Sequence, residues 1–438
     1  MRKDLTFKAP AGTFVGYEDE GTIQIKGIRY ADSVRYDRPV LYHYGSGNHL
    51  MMANAPFGIQ AHSVAEYDLQ GTRYEDFPQV ENDQYLSITR PLNQQIDEKL
   101  PVMVWFHGGS YRNGGADGPS YDRKLLVKEN GVIVVGVNYR LGLLGFSRDR
   151  EGNYANNGLL DAITSLKWLQ ENIAAFGGDP DNVTIFGQSA GADMVRGIIL
   201  ASGTANLYHR AIMQSDPIGS MKNREKLDAQ VLELINQYPI DAPTSELLKI
   251  QLEIQDNITE KGLDKFLIFA PHYGAYPLPA ENEIPTRLKA VAADHKLLIG
   301  ATTREAAIVL GTSEKLAGLH EKRLTKRITE RFIKKMSHAI FIDPSLEFAQ
   351  QYAQAGGTVY HYAFSWLDDQ KTLGAMHIAD LAPLFGLGQA EGLPVAMGYT
   401  QAQVVEAGRP MRQIWTTFAA KGIIKQFKIN QMLTIEQL

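Results

Sequence analysis

Between residues 100 and 215 the chain alternates short apolar runs that end in glycine with longer segments whose apolar residues fall at helical spacing. "LPVMVWFHGG" (100–109) and "GVIVVGVNYR" (131–140) have no polar face to turn toward water, so they read as strands buried on both sides of a sheet. "NGLLDAITSLKWLQENIAAFGG" (157–178) carries a helical repeat and stops at Gly-Gly, a helix ending. "DNVTIFG" is the next strand, "ADMVRGIILAS" the next helix and "YHRAIMQS" (208–215) a further strand. Parallel strands cannot be joined by a tight turn and need a crossover, usually a helix. The alternation therefore predicts an α/β fold with a central, mostly parallel sheet and helices on both faces.

Around this unit the signals are weaker. The first hundred residues read as short strands with turn punctuation, ending in "QYLSITRP" (84–91). The stretch from about 216 to 270, with "REKLDAQVLELINQY" and "SELLKIQLEI", is mostly helical and polar on one side, which predicts an insertion over the sheet. "KLLIGATT" (296–303) and "GTVYHYAFSW" (357–366) add two strands, and "RQIWTTFAAKG" (412–422) a late helix. No repeat or linker interrupts this, so residues 1–438 are expected to form a single domain.

The junction "FGQSAG" (186–191) sets a serine between two glycines where a strand meets a helix. A Gly-x-Ser-x-Gly turn there is sharp and strained; glycines without Cβ let strand and helix approach, and the serine oxygen projects. The pentapeptide alone is a weak motif, but this context is the one that defines it. Ser189 is then a candidate nucleophile, placed at a helix N-terminus where free N–H groups favour developing negative charge. "WFHGGSYRNGG" (105–115) ends another buried strand in a glycine pair. Acyl transfer needs backbone N–H donors aimed at the oxyanion of its tetrahedral intermediate. Gly108 and Gly109 offer two such amides and Ala190 a third, whereas His107 reads as structural, holding the loop.

A serine needs a base, and chain order in this arrangement runs serine, acid, histidine. Of the histidines after Ser189, His320 and His338 flank a charged helix, His295 precedes its strand, and His361 lies inside one. His377, in "LGAMHIADLAPLFG", follows a strand and loop and is the preferred base. Glu305, in "IGATTREAA", is the carboxylate in the loop after "KLLIG" and would fix the imidazole tautomer. Asp380 is its rival and reads better as a helix-start residue.

Composition narrows the classes further. With no cysteine the chain has no disulfide and no thiolate metal site or nucleophile, which fits an intracellular address. A net charge of −5 gives no basic footprint for nucleic acid. One basic run, "EKRLTKRITERFIKK" (321–335), reads as a solvated helix face, with a membrane-surface role as the alternative. No window approaches the roughly 18 apolar residues of a membrane span, and "MRKDLTFKAPAGTF" has no signal-peptide core. The expectation is a cytoplasmic protein acting on a small-molecule ester, without metal or cofactor and with neither nucleic acid nor membrane as partner.

These residues carry a resemblance. "KGIRYA" (26–31), "VMVWFHGGSYRNG", "VVGVNYRLGLLGF" (134–146), "NGLLDAITSLKWLQENIAAFGGDPDNVTIFGQSAGA" (157–192) and "LIGATTREA" (298–306) resemble consecutive blocks of the type-B carboxylesterases of the α/β-hydrolase superfamily. The resemblance implies the α/β-hydrolase fold, Ser189, Glu305 and His377 as nucleophile, acid and base, and an oxyanion hole at Gly108, Gly109 and Ala190. Three departures stand out. "ENDQYLSITRP" lacks the family's cysteine, the chain is shorter than most members, and Asp216 replaces the usual glycine after "QS". Asp216 would lie close to the acyl side, biasing against anionic acyl groups or capping the next segment. Carboxylester hydrolysis through an acyl-enzyme is the expected activity; carbamates, thioesters or lactones, or a catalytically silent binding module, are the alternatives.

Overall fold

The computed structural model describes residues 5–61, 69–95, 97–260, 267–366 and 373–438. Among them, eleven strands form the main sheet: β1 (Tyr17–Asp19), β2 (Thr22–Arg29), β3 (Tyr85–Pro91), β4 (Leu100–Phe106), β5 (Ile133–Val137), β6 (Gly178–Gln188), β7 (Arg210–Gln214), β8 (Lys296–Thr302), β9 (Thr358–Phe364), β10 (Lys428–Ile429) and β11 (Leu433–Gln437). Their order across the sheet is β10-β11-β9-β8-β7-β6-β4-β5-β3-β2-β1. The six strands from β4 to β9 pair in parallel, and antiparallel strands close both edges.

Side chains along a strand point alternately to opposite faces, and here they divide between two cores. Val102, Val104 and Phe106 of β4 belong to one apolar cluster, Met103 and Trp105 to the other. Helices α2 (Asn157–Asn172) and α3 (Ala190–Leu200) cover the first face, and α1 (Lys124–Asn130) and α7 (Gln401–Lys421) the second. That is why these strands are apolar throughout rather than alternating. Trp105, fully buried, packs its ring 4.9 Å from both Phe186 and Phe385; Trp105→Ala would cost about 3–5 kcal/mol.

Strand β4 lies between β5 and β6, so the chain leaves it first to one side and later to the other. Crossovers that diverge this way open a crevice at the carboxyl ends of the two strands. Those ends are Phe106 and Gln188, which places the "HGG" loop and Ser189 side by side.

The stretch 216–270 supplies helices α4 (Glu225–Ile235) and α5 (Thr244–Asn257), while its residues 261–266 lie outside the described residues. The basic run forms α6 (Arg323–Ser337). Two features differ from the sequence reading. Helix α7 begins at Gln401, well before 412, behind a capping box in which Thr400 and Gln403 satisfy each other, and it carries Pro410 internally. That proline masks the helical pattern. The edge strands β10 and β11 are short and partly polar, and they gave no strand signal.

Candidate active site

Ser189 departs from β6 with φ 58° and ψ −127°, a conformation that L-residues avoid and that costs on the order of 1–3 kcal/mol. The surroundings hold it there. Its N–H donates to the Gln214 carbonyl at 2.9 Å, and its carbonyl accepts from the N–H groups of Ala192 and Asp193 at 2.9 and 3.0 Å. The flanking glycines are steric necessities: a Cβ on Gly191 would stand 2.0 Å from the Phe106 carbonyl oxygen, and one on Gly187 would stand 2.3 Å from that of Gly191.

The structure brings together the three side chains that the sequence singled out. The Ser189 hydroxyl lies 2.8 Å from His377 Nε2, and His377 Nδ1 lies 2.5 Å from Glu305 Oε2. Glu305 is fully buried at the end of β8, and its other oxygen accepts from the Thr302 N–H at 2.7 Å. The two loops are also stitched by backbone, with His377 N–H donating to the Glu305 carbonyl at 3.0 Å and Arg304 N–H to that of Ala375 at 3.1 Å. With Glu305 accepting the Nδ1 hydrogen, Nε2 is left as the acceptor facing the serine. The Phe341 ring packs at 4.8 Å on the imidazole.

Gly108 lies against the Ser189 turn, where a Cβ would meet Gln188 O at 2.8 Å and Ser189 Cβ at 3.2 Å. Among the described residues, the amides of Gly108, Gly109 and Ala190 donate to no protein acceptor, which leaves them for a ligand. His107 is buried, its Nδ1 2.8 Å from the Gly108 carbonyl and its ring stacked at 4.6 Å on Tyr139. Burial pushes its pKa down to about 4, so it stays neutral. Its position and state are those of a loop-holding residue, not a base.

Behind the turn lies a charged cluster that the sequence reading missed. Tyr111, two residues past Gly109 and at φ 58°, donates its hydroxyl to Asp193 Oδ2 at 2.6 Å. Arg196 pairs with Asp193 and donates through Nε to Asp216 Oδ2 at 2.9 Å, and it also reaches the Tyr273 hydroxyl. Asp193 and Arg196 sit three apart on α3, every residue of which is buried; charges on a helix that is otherwise apolar all round were the available signal. Asp216 belongs to this cluster and does not line the cavity, so it neither faces an acyl group nor caps a helix. Burial raises its pKa to about 7 despite the Arg196 charge. Asp380 stands at the start of a short helix but makes no capping bond. It is buried, accepts from Gln214 Nε2 at 2.7 Å, and has its pKa raised to about 6 by burial, with the Glu305 charge adding to the rise.

Ser189 and His377 open into a cavity of about 510 Å³. Phe332 and Met336 from α6, with Ile340 and Phe341 beyond it, line this cavity, as do Leu252 and Gln255 from α5. Among the described residues no cluster of three or more His, Asp or Glu side chains could hold a metal.

The profile of the "Carboxylesterase family" matches residues 6–335 and 313–432. A probable N-octanoylanthranilate hydrolase of Rhodococcus erythropolis is 30% identical over 426 residues, 96% of this chain and 93% of that one. The para-nitrobenzyl esterase of Bacillus subtilis (strain 168) is 32% identical over 391 residues, 81% of this chain and 77% of that one. A solved thermophilic PNB esterase superposes with a TM-score of 0.79 at 26% identity, covering 99% of this chain and 98% of its own. The expected α/β-hydrolase fold is thereby borne out.

Proposed function

This chain belongs to the carboxylesterase family and is a carboxylic ester hydrolase, and from that premise we propose the residues and the substrate through which it acts. Ser189 is the nucleophile, His377 its general base and Glu305 the residue that orients and stabilises the imidazolium. His377 Nε2 takes the hydroxyl proton as Ser189 Oγ attacks the ester carbonyl, and the amides of Gly108, Gly109 and Ala190 receive the oxyanion. The proton then passes to the departing alkoxide, leaving an acyl-enzyme. Water, deprotonated by the same histidine, releases the acid and regenerates the serine. Residues 1–438 act in this reading as one domain with α4 and α5 inserted over the sheet, and the cysteine-free composition favours a cytoplasmic setting.

The observation that carries the mechanism is the continuous line from Ser189 Oγ through His377 to Glu305, at 2.8 and 2.5 Å, on the floor of a cavity. The cavity's apolar walls suit a medium acyl chain. The Rhodococcus relative's name specifies an octanoyl group on an aryl amine, and this favours a second reading in which N-acyl arylamines are also cleaved by the same residues. The test is turnover of para-nitrophenyl esters from acetate to octanoate, with N-octanoyl anilide alongside, by wild type and Ser189→Ala. Ester turnover rising with chain length and lost in Ser189→Ala is expected. Folded wild type without turnover, or a Ser189→Ala variant that retains it, would overturn the assignment; anilide cleavage decides the second reading.

A further inference from the structure

Helix α6 presents to the outside a face that its surroundings do not explain. Leu324, Ile328 and Phe332, spaced by four, form one stripe that is 91%, 66% and 43% exposed. Helical neighbours at that spacing share a face, and a contiguous apolar stripe left in water marks a contact surface. Beside it stand seven lysines and arginines within residues 322–335, against the single acid Glu330. Glu330 turns inward and is held by Arg304 and His320 at 2.8 and 2.6 Å. Among the described residues none of the seven cations is ion-paired.

We propose that α6 is an interfacial helix that docks the protein onto an anionic lipid surface, with Leu324 and Ile328 inserted at the acyl boundary and the surrounding cations on lipid phosphates. Three observations favour this occupant. An apolar stripe edged by lysine and arginine is the composition of helices that lie in the plane of a bilayer. A second copy of this chain would bring seven cations against seven across a two-fold contact, which like-charge repulsion opposes. Nucleic acid would use the cations but leave the apolar stripe without a partner. No described helix is long and apolar enough to cross a membrane, so the contact is a surface one.

The same helix joins the docking face to the cavity. Phe332 ends the exposed stripe and also lines the cavity, and Leu252 of α5, 43% exposed, lines it too. A docked α6 would therefore set the mouth against the surface, and water-insoluble esters dissolved there would reach Ser189 directly; this last consequence rests on the function proposed above.

The experiment is cosedimentation of the full chain with phosphatidylcholine vesicles, with and without phosphatidylglycerol, run beside turnover of a water-soluble acetate ester. Wild type should bind the anionic vesicles at least ~10-fold better than the neutral ones. Leu324→Asp/Ile328→Asp and, separately, Arg327→Gln/Arg331→Gln/Lys334→Gln should each lower that binding ~10-fold while soluble-ester turnover stays within about twofold, which also reports that they fold. Failure of wild type to bind, equal binding to neutral vesicles, or binding that survives the aspartate pair would overturn the proposal. So would a wild-type dimer that the aspartate pair dissociates, or DNA binding as tight as vesicle binding.

Discussion

Ser189 and Phe332 face the same cavity from opposite kinds of structure. Ser189 sits on a backbone conformation that strand end, helix start and two crowded glycines impose, and Tyr111, Asp193, Arg196 and Asp216 behind it are buried. Phe332 comes from a helix whose inner face packs through Thr329, Ile333 and Ser337 while its outer face lies open. A floor fixed at every bond can hold reacting atoms at hydrogen-bond distance, and a wall held on one side can change its lining without disturbing that geometry. On the proposed mechanism, reaction type and substrate choice are written in different parts of the molecule.

Substitutions on the floor should be costly and those on the wall mild, and each of the following strains that contrast. On the proposed mechanism, Glu305→Gln keeps the shape but removes the charge that stabilises the imidazolium; kcat should fall about 10³–10⁴-fold with KM little changed. Gly191→Ala forces a Cβ onto the Phe106 carbonyl, and urea unfolding should show a loss of at least ~3 kcal/mol.

Asp216 tests the buried cluster through pH. Its pKa is raised from 3.8 to about 7, so the folded protein holds this proton more tightly than the unfolded chain does. The stability this confers is complete below about pH 4 and is lost as pH rises toward about 7. Relative to Asp216→Asn, wild type should therefore lose on the order of 2 kcal/mol of unfolding free energy across that window, with the proton shared among coupled groups. On the wall, Phe332→Ala should shift the preferred acyl length while changing kcat/KM for acetate by less than about threefold. A ~100-fold loss there would erase the distinction between floor and wall.

What the sequence disclosed follows the same division. The parallel strands were legible because burial on both faces leaves runs such as "GVIVVGV" wholly apolar, and the nucleophile turn because its glycines answer to a steric demand visible in five residues. His377 and Glu305 could be singled out by chain order together with their place in loops that follow strands of the parallel unit. Asp216 was misjudged: its neighbour in sequence is the strand end, but its partner is Arg196, twenty residues earlier, and only the fold shows that neither of them lines the cavity. Asp380 does stand at a helix start, as its place in the sequence suggested, but that position says nothing about which way its carboxylate turns, and it turns to Gln214. The open face of α6 was present as a charge pattern, yet exposure of Leu324 and Ile328 is a tertiary fact.

The most direct measurement is to trap the acyl-enzyme. Wild type turning over a para-nitrophenyl octanoate should be quenched in acid within the first turnovers, digested and mapped by mass. The octanoyl group is expected on the peptide containing Ser189 and nowhere else. Active enzyme whose acyl group maps to another residue, or that turns over with no acylated peptide under burst conditions, would contradict it.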